Sequence, residues 1–239
     1  MIVTIHQPEH LPWLGFFDKI RRADLFVVLD HVPYRKNYFQ NRNRIRSAAG
    51  ATWVTVPVLI KGHFGQPINE VRINHDGSPR WKEKYWTSIE QTYQGSAFWR
   101  DHAEPLRRKL ESESDLLCEL NVSLIEELMR ALKIAVPMVR SSRLGLTGSR
   151  SELLLNICRA VGAKTYLSGI SGQEYLDLEL FQANGVAVEF HEFHHPVYPQ
   201  RHQPFLPCMS VIDLLFNCGP ASLDTIRGVG VKVLEEVFH

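Results

Sequence analysis

His6-Gln7-Pro8-Glu9-His10 sets two imidazoles, a carboxamide and a carboxylate within one short stretch, directly after the apolar run of residues 2–5. Imidazole titrates near neutral pH, so His6 or His10 at the end of a strand can act as general acid or base. The competing reading is a proline-stiffened turn whose rings hydrogen-bond the backbone. Further along, Gln40-Asn41-Arg42-Asn43-Arg44 alternates its side chains: Gln40, Arg42 and Arg44 share one face of an extended strand, and Asn41 and Asn43 share the other. A guanidinium fork there suits phosphate or carboxylate; a strand edge guarded by charges is the alternative. Ser168-Gly169-Ile170-Ser171-Gly172 offers backbone amides that cradle a phosphate at a helix start, although glycine pairs also make plain turns.

A late cluster carries His191, His194, His195 and His202, with His191 and His195 on one strand face. No cysteine or acidic residue recurs there at metal-ligand spacing, so no metal is expected. Phosphate-loop, dinucleotide and serine-hydrolase signatures are missing, and no cofactor is expected.

These groups need strand ends to hold them. Residues 1–5 read as a buried strand, 13–23 as a short helix and 24–30 as a second buried strand, which together make a parallel βαβ unit. Residues 38–60 alternate around Gly50 as a strand pair, and 68–74 read as a third strand. Ser78 and Pro79 mark a helix start, with Ser78 as cap and Pro79 at the first helical position. Helices are expected over about 97–112 and 115–134. The last third alternates again: strand 137–142, helix 148–162, strand 164–169, helix 173–184 and strand 186–193. Helices over 210–217 and 231–238 close the reading. The expected fold class is therefore α/β, a mostly parallel sheet with helices on both faces, carrying an antiparallel strand insertion (about 34–80) and a helical segment (about 79–134) in a single domain, 1–239.

With 239 residues, 27 basic against 26 acidic and a formal charge of +1, the chain lacks the bulk charge of a nucleic-acid or membrane-surface binder. Cys118, Cys158, Cys208 and Cys218 stand far apart without a Cys-x-x-Cys pair, as expected of reduced thiols in a cytoplasmic protein. The apolar run at the start is too short for a signal segment, and no stretch is long enough to insert in a membrane.

Several stretches, in order, resemble the WbqC-like proteins of bacteria: HQPEHLPWLGFFDKI, QNRNRI, WVTVPV, SIEQTY, GAKTYLSGISGQEYL, FHHPVYPQ and PFLPCMSVIDLLFNCG. Together they span residues 5–219. Members commonly lie among genes for surface-polysaccharide or O-antigen assembly. The resemblance picks out His6, Gln7, Pro8, Gly15 and Lys19, then Asn41, Arg42 and Asn43. It also picks out Ser168, Gly169, Gly172 and Tyr175, then His195, Pro196, Tyr198 and Gln200, and finally Ser210, Asp213 and Asn217. His10 stands where the family usually has an aromatic residue, and His191, His194 and His202 lie outside the pattern. The resemblance implies a transferase of surface-glycan precursor synthesis, acting on a small-molecule substrate, a sugar nucleotide or acyl donor. Acyl or aminoacyl transfer to an amino sugar is the expected reaction. His6 and His195 are the expected catalytic pair. Gln7, Lys19, Gln40, Asn41, Arg42, Asn43, Ser168, Gly169, Gly172, Tyr175, Tyr198 and Gln200 are expected to bind substrate. A nucleotidyltransferase-like enzyme and a non-catalytic sugar-nucleotide-binding or scaffold protein are the alternatives.

Overall fold

Residues 2–5, Ile-Val-Thr-Ile, are β-branched without interruption, and such side chains favour extended backbone. In the computed structural model, which describes residues 1–59, 62 and 64–234, they form β1 (Ile2–His6). α1 (Leu14–Arg21) and β2 (Leu25–Val28) follow, then β3 (Arg42–Ser47), β4 (Gly50–Thr55), β5 (Val58–Leu59) and β6 (Arg72–Ile73). Helices α2 (Trp81–Tyr93), α3 (Trp99–Glu111) and α4 (Leu117–Ala131) lead to β7 (Met138–Arg140). α5 (Arg150–Ala160), β8 (Thr165–Gly169), α6 (Leu178–Ala183) and β9 (Ala187–His191) alternate, and α7 (Val211–Cys218) and α8 (Ser222–Ile226) come last.

The chain divides into two compact units, the first made of Met1–Gln7, Asp18–His31 and Ala135–Phe193. Its sheet is parallel throughout, in the order β7-β2-β1-β8-β9. Counted along the chain, that is 3-2-1-4-5, so the winding reverses between β1 and β8. The two strands pair only at Ile2↔Thr165 and Val3↔Tyr166. Beyond that point the buried Thr4 hydroxyl donates to Leu167 O (2.9 Å), and the carboxyl ends part. The reversal point of an open α/β sheet is where ligands lie.

The second unit comprises Pro8–Phe17, Val32–Ile134 and His194–His239. β3 and β4 form an antiparallel hairpin with Arg44 opposite Trp53, and β5 pairs with β6. Its helices bury regular apolar faces, such as Leu117, Leu120, Leu124, Ile125 and Leu128 of α4.

The α/β fold, the parallel sheet and the antiparallel insertion follow the sequence reading, with local corrections. Residues 68–74 give a 3-10 turn (Ile68–Glu70) and then β6, not a continuous strand. The turn lets Ile68 and Val71, three apart, both bury completely. α2 starts at Trp81, later than Ser78-Pro79, because Ser78 O takes the Trp81 N–H in a separate turn (3.0 Å). The helix expected over 173–184 is shorter: Ile170–Glu174 is a 3-10 turn, and Asp177 caps α6 by accepting Leu180 N–H (3.0 Å). At the end, Val233 bridges Pro196 where a helix was expected, and residues 235–238 of that expectation lie outside the described residues.

Candidate active site at the carboxyl edge of the parallel sheet

His6 is the last residue of β1 and sits in register with Val28 of β2. Its Nδ1–H donates to the Gln7 carbonyl (3.1 Å), which assigns the lone pair to Nε2. Burial, then the charge of Lys19, lowers the ring from 6.5 to about 3, so the imidazole is neutral at neutral pH. Lys19 extends from α1 and is itself buried; a Cβ placed on Gly169, the last residue of β8, would lie 4.0 Å from its Nζ. An imidazole, an ammonium and an open glycine backbone thus share the end of β1 and β8.

The glycine loop is shaped by space. A Cβ on Gly172 would overlap Ser168 Oγ and come within 3.0 Å of Leu176 Cδ1 and 3.2 Å of Phe190 Cε1. Gly172 therefore lets the turn close over Ser168, whose hydroxyl donates to Gly169 O (3.2 Å). Tyr175 follows, 56% exposed, at the rim of this loop.

Two buried carboxylates at the same edge stand outside the expected site residues. Asp30, fully buried after β2, accepts from Ser142 N–H (2.9 Å), Ser142 Oγ–H (2.7 Å) and Ser141 Oγ–H (3.1 Å), and His31 Nδ1 lies 2.6 Å from Ser141 Oγ. The Asp30 strand end was visible in the sequence, but its serines come from the 3-10 turn after β7, over a hundred positions later. Asp18 of α1, also fully buried, bonds His191 Nε2 (2.7 Å) at the end of β9 and pairs with Arg21 (2.6 Å) and Arg22 (2.9 Å). Desolvation opposes its charge, but His191 and the two arginines prevail and hold its carboxyl below 3.8. Burial lowers His191 despite that carboxylate.

The remaining expected site residues, Gln7 apart, belong to the second unit, where their polar atoms meet the chain. His10 is fully buried: Tyr85 O–H donates to Nε2 (2.6 Å) and Nδ1–H donates to Asn121 Oδ1 (2.8 Å). Asn121 Nδ2 in turn donates to Pro8 O (2.9 Å) and Gln40 O (2.7 Å), which fixes the direction of every proton in the network. Asn43 Nδ2 catches His10 O (3.1 Å) and Leu11 O (2.9 Å), holding Leu11 at a left-handed φ of 40°. Asn41 bonds Val56 O (2.8 Å) and Tyr34 O–H (2.9 Å), and Gln40 Oε1 takes Arg35 N–H (2.8 Å). Arg42 Nη2 donates to Asn37 O (2.7 Å). His195 donates from Nδ1 to Pro196 O (2.8 Å) and accepts Cys208 N–H at Nε2 (3.1 Å), with Trp13 stacked 6.4 Å away. Asp213 collects Tyr93 O–H (2.9 Å), Tyr198 O–H (2.8 Å) and Gln200 Nε2 (2.8 Å); burial raises its carboxyl against those donors.

Among the described residues there is no cluster of three or more His, Cys, Asp or Glu able to hold a metal. The four cysteines are free thiols. No helix among the described residues is long and apolar enough to cross a membrane.

An open parallel sheet in the order 3-2-1-4-5, with histidine closing its first strand and a glycine loop closing its fourth, defines an α/β protein with its candidate site at the winding reversal. The chain belongs to the WbqC-like protein family, whose pattern matches residues 7–225. It is 34% identical over 227 residues to the Uncharacterized protein Rv1507c of Mycobacterium tuberculosis (strain ATCC 25618 / H37Rv), covering 94% of this chain and 97% of that protein. No solved structure matches the chain.

Proposed function

We propose that this chain is a transferase of surface-glycan precursor synthesis that moves an acyl or aminoacyl group onto the amine of an amino sugar or sugar nucleotide. The observation that carries the reading is the neutral His6 ring beside buried Lys19 at the parting ends of β1 and β8. In the reaction the amine nitrogen attacks the acyl carbonyl, a C–N bond forms and the bond to the leaving group breaks. The Nε2 lone pair of His6 takes the amine proton and returns it to the leaving group. Lys19 and the backbone of residues 168–172 hold the phosphate or the developing oxyanion. An anion bound at Lys19 offsets the second cause of the low His6 basicity and strengthens the base when substrate is present. Gln7 and Tyr175 border the acceptor. His195, Tyr198, Gln40, Asn41, Asn43 and Gln200 act as positioning residues in this reading, because chain groups already engage them.

Nucleotidyl transfer is favoured by one feature, a histidine at the end of the first strand of a 3-2-1-4-5 sheet. It needs a second imidazole on the phosphate, and both nitrogens of His10 are taken by Tyr85 and Asn121. Incubation with amino-sugar nucleotides and acyl thioesters, read by mass spectrometry, tests the proposal. Wild type yields an acylated sugar, while His6→Ala keeps ligand binding and yields none. A His6→Ala protein with full product formation would refute the assigned base and favour a binding role.

A further inference from the structure

The second unit holds a cleft of about 480 Å³ between the end of β4 and the start of α2, within the size range of small-molecule sites. Trp53 and Trp81 supply aromatic walls, and Lys84 and Arg80 supply cations; no carboxylate lines it among the described residues. Arg80 is paired with Glu83 (2.7 Å), so Lys84 is the lining cation without an ion pair among the described residues. The first turn of α2 lacks a side-chain cap, and apart from the Trp81 N–H, which Ser78 O takes, its amide N–H groups stand at the same end.

Trp53 is 44% exposed although it stands in the middle of a hairpin strand. The Arg42 guanidinium lies 4.3 Å from its ring centroid and that of Arg44, directly across the hairpin, 5.8 Å. Among the described residues neither arginine pairs with a carboxylate, and the Nε of each is buried without a hydrogen-bond partner. The indole is therefore held by two cations, neither of which an acidic side chain among the described residues offsets.

We propose that this cleft is a binding site for a ring-bearing phosphate, a nucleoside or sugar phosphate whose ring stacks on Trp53 and whose phosphate meets Lys84 and the open end of α2. A flat ring gains from an exposed indole, and a phosphate gains from an unpaired ammonium at a helix start. The site rests on the cleft alone and not on the reading of His6.

Titration calorimetry of the full chain with UDP, glucose 1-phosphate and inorganic phosphate tests it. UDP or glucose 1-phosphate binds more tightly than phosphate, and the tighter of the two identifies the ring. Trp53→Ala weakens that ligand at least about tenfold, the ratio that roughly 1.4 kcal/mol of stacking supplies. Trp53→Phe restores most of the loss, and Lys84→Ala weakens binding and flattens its salt dependence. His6→Ala leaves the affinity unchanged, so this site stands or falls apart from the transferase reading. Failure of both ring-bearing ligands to bind, or binding indifferent to Trp53→Ala and Lys84→Ala, overturns the proposal.

Discussion

His10→Phe replaces the buried imidazole with an apolar ring and removes one titrating group. In the folded chain burial lowers His10 from 6.5 to about 4, opposed by the Asn121 bond. The unfolded chain takes up the proton first as pH falls, so stability is present above 6.5 and drains away toward the folded value. Between about pH 7.5 and about pH 4.5 this single group removes about 2.5 kcal/mol. The substitution also orphans Asn121 Oδ1 and the Tyr85 hydroxyl, both buried, at a cost of about 2–4 kcal/mol at neutral pH. Urea unfolding followed by tryptophan emission is the suitable assay, because all five tryptophans lie in the second unit, as His10 does. The variant starts less stable and loses about 2.5 kcal/mol less on acidification than wild type. Equal acid losses in the two proteins would refute the assignment of His10 as a buried, neutral structural ring.

Lys19→Met removes the second cause of the depressed His6 ring and leaves burial, the first, in place. The His6 titration by NMR therefore rises from about 3 and stays below 6.5; an unmoved titration would separate Lys19 from the site. Gly172→Ala forces a methyl onto Ser168 Oγ and against Leu176 and Phe190. Overpacking of this kind costs about 1–3 kcal/mol and lowers the thermal midpoint, and an unchanged midpoint would show that the loop relaxes freely.

Much of the first unit was legible because local chemistry dictates it. The β-branched run of residues 2–5 can hardly do other than make a strand, and Phe16, Phe17 and Ile20 bury one face of α1. The strand ends that carry His6 and Gly169 were visible for the same reason. What those polar residues touch was not legible, because the partners come from remote sequence. Asn121 reaches His10 across 111 positions and Tyr85 across 75, while Asp18 meets His191 across 173. His191 fell outside the family pattern, and only the fold gives it a carboxylate. Short elements such as Ile68–Glu70 also escaped, since burial of two side chains three apart outweighed a weak strand propensity.

The hydroxyl of Thr4, bonded to Leu167 O where β1 and β8 stop pairing, has a consequence for how this family can diversify. Valine has nearly the same shape, so a one-atom exchange there keeps the core filled while deleting the only polar stitch described across the gap. The width of the gap at the strand ends can thus drift under selection without disturbing the hydrophobic pattern that makes the fold.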